Sequence, residues 1–107
     1  MGGGRVSNPL YLANYIISDD YLITSHAKLR MAERGITNTS LENGIIEGEI
    51  IEEYSNDMPC PTVLLLSMVN NIPLHIVIGL CTDHIRIITC YYPEEKEWID
   101  YRIRRAL

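Results

Sequence analysis

The segment Ser25-His26-Ala27-Lys28-Leu29-Arg30-Met31-Ala32-Glu33-Arg34-Gly35 carries an imidazole and two guanidinium groups at intervals of four residues. In an α-helix, His26, Arg30 and Arg34 then share one broad stripe. His26 falls in the first turn, where the helix dipole favours the neutral imidazole. A neutral imidazole can take the proton of a ribose 2′-hydroxyl, while guanidinium groups grip a phosphate and stabilise its developing charge. Such a stripe could serve RNA cleavage without a metal, with His26 as acid–base group and Arg30 and Arg34 as phosphate ligands. The plainer alternative is a solvated helix face on which Glu33 pairs with Arg30.

Two further groups could join such a site. His75 lies in Pro73-Leu74-His75-Ile76-Val77-Ile78, a strand otherwise apolar on both faces. It is either a core histidine with its hydrogen bonds satisfied or a second acid–base group across the sheet from the His/Arg helix. In the last long strand, strict alternation puts His84 and Arg86 on one face and Thr89 and Tyr91 on the other. The Tyr91 phenol could donate to a phosphate oxygen or a ribose, or serve only as a packing group. Asp57 sits in a proline-rich loop and reads as a turn former. The three histidines lack the spacing of a metal ligand set, and no phosphate-cradling glycine motif follows a strand. No metal and no cofactor is expected.

Such residues need a rigid frame. The chain has 107 residues, 47% of them hydrophobic and 21% charged, which suits one globular domain over residues 1–107. The Met-Gly-Gly-Gly-Arg start suggests a flexible leader over residues 1–7. The net charge of -5 excludes nucleic-acid binding by bulk attraction, so any phosphate contact must come from a local patch. Lys28, Arg30 and Arg34 form one basic cluster, and Arg102, Arg104 and Arg105 form another. Three cysteines without a CxxC pair argue against a disulfide scaffold and for a reducing compartment. With no apolar run long enough for a membrane span, the expected location is the cytoplasm.

Asn8-Pro9 opens a first helix to about Ile17, with Asn8 as its cap. Tyr21-Leu22-Ile23 can form a short strand. Thr24 or Ser25 caps the His/Arg helix, which Gly35 ends. Asn38 or Thr39 caps a third helix over roughly Ser40 to Glu47, ended by Gly48. The apolar period then changes to two. Glu49 to Tyr54 reads as a strand with Ile50, Glu52 and Tyr54 on one face. Thr62 to Val69 and Ile72 to Leu80 read as apolar strands joined by a tight turn at Asn70-Asn71. A turn at Thr82-Asp83 leads into His84 to Tyr92, and Glu94 to Arg105 forms a charged tail with a possible short helix. The expected fold class is α+β, with N-terminal helices packed on a four-stranded antiparallel sheet.

From about Ile23 to Arg105 the chain resembles a bacterial domain-of-unknown-function family, family 4258. The resemblance rests on Ser25-His26-Ala27, Arg30-Met31, Arg34-Gly35-Ile36, Gly48-Glu49-Ile50-Ile51-Glu52 and Tyr54. It continues through Asp57-x-Pro59-x-Pro61, Pro73-Leu74-His75-Ile76-Val77 and Ile87-Ile88-Thr89-Cys90-Tyr91-x-Pro93. That family is similar to the RelE-like ribonuclease toxins. The resemblance implies a RelE-like fold and an endoribonuclease acting on RNA, in some relatives at the ribosome. It also implies a small antitoxin partner, and it marks His26, Arg30, Arg34, His75 and Tyr91 as the site. Toxins of this fold are usually basic, whereas this chain is acidic. A non-catalytic protein-binding or regulatory domain on the same fold is the alternative, and self-association is left open.

Overall fold

A computed structural model describes residues 9–106, with side chains described from residue 12; the expected leader and the Asn8 cap lie outside the described residues. The element order is α1 (Pro9–Ile17), β1 (Tyr21–Ile23), α2 (Ser25–Arg34), α3 (Asn38–Glu47), β2 (Glu49–Tyr54), β3 (Thr62–Val69), β4 (Ile72–Leu80) and β5 (Ile85–Tyr91). Two short strands follow, β6 (Trp98–Ile99) and β7 (Ile103–Arg104). The fold is α+β as the sequence indicates.

The helix boundaries follow from local chemistry. The Thr24 hydroxyl accepts the Ala27 N–H at 3.1 Å and so caps α2. Gly35 closes the helix at φ 67°, in the left-handed region that a side chain disfavours. The cap of α3 is Thr37, not Asn38 or Thr39: its hydroxyl accepts the Ser40 N–H at 3.1 Å, and the helix begins two residues earlier than expected. Gly44 allows α3 to approach β3 closely. The Ser67 hydroxyl donates to the Gly44 carbonyl at 2.6 Å, and a Cβ on Gly44 would stand 2.7 Å from that hydroxyl oxygen.

The sheet departs from the expected four antiparallel strands. It has five strands in the order β1-β5-β4-β3-β2, and β1 runs parallel to β5. Strands β2 to β5 do form the antiparallel meander. The fifth strand exists because the α1–α2 connection crosses the β5 edge, where the Ile85 N–H bonds the Asp20 carbonyl and the Thr24 N–H bonds the Ile87 carbonyl. Asn70 and Asn71, at φ 55° and 65°, make the tight β3–β4 turn expected of that pair.

The core lies between the helices and one sheet face, where Leu12, Ala27, Met31, Leu41 and Ile45 meet Val63, Leu65, Ile76, Ile78, Ile87 and Cys90. Residues 62–67 of β3 are buried on both faces, which explains their unbroken apolar run. Among the described residues the second face carries no helix. The charged tail that allowed a short helix forms the β6–β7 hairpin there instead. Trp98 turns into the sheet and is 2% exposed.

Cys60 and Cys81 form a disulfide, contrary to the expectation from the cysteine count. The Leu80 N–H bonds the Pro61 carbonyl at 2.7 Å, so the residues flanking the β3–β4 ladder meet at a Cα separation of 5.2 Å. The pairing removes the argument from cysteine count for a reducing compartment. No helix among the described residues is long and apolar enough to cross a membrane.

Candidate functional site

Two irregularities decide which side chains share the helix-free face. In β2 the register shifts between Ile50 and Glu52, leaving Ile51 as a bulge. Ile50 pairs with Leu65 in the core layer, whereas Glu52 and Tyr54 pair with Leu64 and Thr62 on the opposite face. In β5 the register shifts around Ile88, so Ile87 pairs with Ile78 while Thr89 and Tyr91 pair with Val77 and His75. Arg86, Thr89 and Tyr91 therefore share one face rather than alternating across the strand. The two bulges bring Glu52, Tyr54, His75 and Tyr91 to the same side of the sheet.

His75 is 0% exposed, and both ring nitrogens are occupied. Nε2 lies 2.7 Å from the Tyr101 carbonyl oxygen, which can only accept, so Nε2 carries the proton. Nδ1 is then the acceptor for the Tyr91 hydroxyl at 3.2 Å. The Trp98 ring meets the His75 ring edge-on, with centroids 4.5 Å apart. Burial lowers the His75 pKa, partly offset by the Tyr101 carbonyl, so the imidazole stays neutral at pH 7. Burial likewise raises the Tyr91 pKa and keeps the phenol protonated.

Around this pair stand groups of both signs. Arg104 Nε donates to the Glu52 carboxylate at 3.1 Å, and its guanidinium lies 4.6 Å from the centre of the Trp98 ring. The Tyr54 hydroxyl donates to Glu52, and its pKa is raised first by burial and then by that bond. Trp98 stands between the His75 ring and the Arg104 guanidinium, and Arg104 pairs with Glu52, so the two pairs lie side by side on one face. A carboxylate, a phenol backed by a neutral imidazole and a guanidinium can take a proton, give a proton and hold an oxyanion.

The predicted residues divide between the two faces. His75 and Tyr91 come together; His26, Arg30 and Arg34 do not join them. The α2 helix packs its Ala27 and Met31 side into the core, on the other side of the sheet from His75. His26 is exposed, while Arg30 bonds Glu33 at 2.5 Å and Arg34 lies over the Tyr92 ring at 5.5 Å. The Arg34 Nε is buried without a hydrogen-bond partner among the described residues. His84 bonds Asp83 at 2.8 Å, and Asp57 donates its N–H to the Tyr54 carbonyl as a turn residue. Among the described residues no three His, Cys, Asp or Glu side chains stand together as a metal site.

Sequence reasoning named Glu52 and Tyr54 only as strand and motif residues and Arg104 only within a basic cluster, and it passed over Trp98 and Tyr101. The period-two Glu52-x-Tyr54 and the lone tryptophan near a basic cluster were the available signals. Comparison with curated proteins and with solved structures gave no match. The family model described as "Domain of unknown function (DUF4258)" matches residues 23–92, a span from β1 to the end of β5 that includes His75 and Tyr91, and the chain belongs to that family.

Proposed function

We propose that the protein is a metal-independent endoribonuclease of the RelE-like toxin kind, with its chemistry on the helix-free face of the sheet. The observation that carries the reading is the Tyr91 phenol hydrogen-bonded to a buried, neutral His75 beside the Glu52–Arg104 pair. In this reading Glu52 takes the proton of the ribose 2′-hydroxyl. Arg104 swings from Glu52 to the phosphate and stabilises the charge that develops on its oxygens. Tyr91 turns its O–H from His75 Nδ1 to the departing 5′ oxygen and gives its proton there, and solvent reprotonates the phenolate. The bonds formed and broken leave a 2′,3′-cyclic phosphate and a 5′-hydroxyl. The substrate is RNA, free or on the ribosome, which implies action in the cytoplasm. A small antitoxin protein is the expected partner.

The test is cleavage of naked RNA and of mRNA on translating ribosomes, with excess chelator present. Cyclic-phosphate ends formed at an undiminished rate support the reading, and a rate that collapses on chelation contradicts the metal-independent mechanism.

One observation favours the second reading, a non-catalytic binding domain. Arg30, Arg102 and Arg104 are each paired with a carboxylate of the same chain, which lowers their availability to phosphate. Under that reading no cleavage occurs in either setting, and a protein partner is retained by the Glu52→Gln variant.

A further inference from the structure

Residues that follow the sheet in sequence complete the burial of His75, which Tyr91 flanks within the sheet. Trp98 covers the His75 ring, and the Tyr101 carbonyl occupies Nε2. Both belong to the β6–β7 hairpin, whose strands are two residues long. Beyond the buried His75–Tyr101 bond at 2.7 Å, its polar ties to the sheet are rim contacts: Arg102 to Glu49 at 3.1 Å and Arg104 to Glu52 at 3.1 Å, with the two arginine side chains 44% and 61% exposed. Exposed pairs of this kind hold weakly.

The hairpin carries its own strain. Its turn residues Asp100 and Tyr101 have φ of 54° and 61°, in the left-handed region. Asparagine or glycine fits that region, as at Asn70-Asn71, whereas a bulky tyrosine disfavours it. The outer face of the hairpin shows Ile99 and Ile103 at 45% and 61% exposure, so no second layer among the described residues presses it onto the sheet. One anchoring ring, one buried hydrogen bond, two rim ion pairs and a disfavoured turn describe an element that opens at lower cost than the eight- and nine-residue strands beneath it.

We propose that the β6–β7 hairpin is a strap that closes the Tyr91–His75 site at rest and lifts to admit substrate. Its biological purpose rests on the ribonuclease reading, but its motion does not. When the strap lifts, Trp98 leaves the ring of His75, and Arg104, its partner across the hairpin, parts from Glu52. That uncovers the His75 and Tyr91 rings, an aromatic floor suited to a base, with Arg104 carried on the strap to meet the phosphate as it closes.

Two readouts follow the strap in the full chain. Diethyl pyrocarbonate modifies accessible imidazoles, and peptide mass spectrometry separates His75 from exposed His26. Trp98 is the single tryptophan, so acrylamide quenching of its fluorescence reports the same element. In the wild type, His75 should react about tenfold or more slowly than His26, through local opening. Arg102→Ala and Glu49→Ala, both outside the acid–base cluster, should each raise the His75 rate roughly two- to fivefold, the fold-change an exposed pair supplies. His26 should keep its rate, and Trp98 quenching should rise in parallel.

Overturning the strap would take a His75 rate equal in wild type and both variants and rising only with denaturant in step with global unfolding. RNA cleavage measured on the same samples separates the two ideas. A strap that loosens without any cleavage leaves this proposal standing and counts against the ribonuclease reading. Cleavage with His75 unreactive in every sample overturns the strap alone.

Discussion

Tyr91→Phe probes the bond on which the site depends. The substitution removes one oxygen and keeps the ring, so the edge contact with His75, at a centroid separation of 5.2 Å, survives without a cavity. What is lost is the hydroxyl that Nδ1 of a fully buried His75 accepts at 3.2 Å. A neutral hydrogen bond contributes about 1 kcal/mol, and a buried acceptor left unpaired adds about 1 kcal/mol more. The expected loss is about 2 kcal/mol, or roughly 10 °C in midpoint for a domain of this size. Urea unfolding followed by Trp98 fluorescence measures it directly. A loss below about 0.5 kcal/mol would refute the assigned tautomer, since Nδ1 would then have no need of the phenol. His75 adds a pH signature whose sign is fixed. Burial holds its folded pKa below the ordinary 6.5, so between those values the unfolded chain binds more protons than the folded one. Stability from this group is therefore complete above pH 6.5 and declines as pH falls through that window. The decline should vanish in His75→Gln; a decline of equal slope in that variant would assign it to other groups.

Other outcomes follow from separate parts of the fold. The Tyr21 pKa is pushed up to about 12, first by its hydrogen bond to Glu42, so the folded state holds this proton longer than the unfolded one. Stability should fall as pH rises from about 10 toward 12, and Tyr21→Phe should flatten that limb in a pH-jump unfolding series. Gly35→Ala should cost about 1 kcal/mol in urea titration, a backbone cost alone, because a Cβ there meets nothing within 4 Å at φ 67°. Replacing both Cys60 and Cys81 by serine should cost about 3 kcal/mol by loop closure over a separation of 21 residues. An unchanged midpoint in the double variant, with the wild type insensitive to a thiol reductant, would deny the disulfide a stabilising role.

Much of the fold was legible because several signals agreed at each element. The Thr24 cap, Gly35, the Asn70-Asn71 turn and the change of apolar period from helical to alternating located three helices and four long strands. What stayed hidden is non-local. The parallel β1–β5 pairing depends on backbone bonds from Asp20 and Thr24 to residues some sixty positions away, and three residues carry no register of their own. The Cys60–Cys81 bond depends on the β3–β4 register, which turns a spacing of 21 into adjacency.

The candidate site was half legible for the same reason. His75 stood out as a polar group in an apolar strand, and Tyr91 followed from its neighbourhood. The bulges at Ile51 and Ile88 are invisible to an alternation argument, yet each reverses the faces of the residues beyond it. Strict alternation therefore grouped Ile50 with Glu52 and parted Arg86 from Tyr91. The His26–Arg30–Arg34 stripe is real as a helix face, but helix periodicity carries no information about which side of a sheet that helix covers.

The most direct test of the account compares single-turnover RNA cleavage by the wild type, Tyr91→Phe and His26→Ala, on naked RNA and on translating ribosomes. The account predicts cyclic-phosphate products from the wild type and a loss of about 10²–10⁴-fold in Tyr91→Phe, the range of a general acid. It predicts His26→Ala within about threefold of wild type, because that side chain lies across the sheet from the cluster. Cleavage that survives Tyr91→Phe but is lost in His26→Ala would move the chemistry to the helix face and contradict the account.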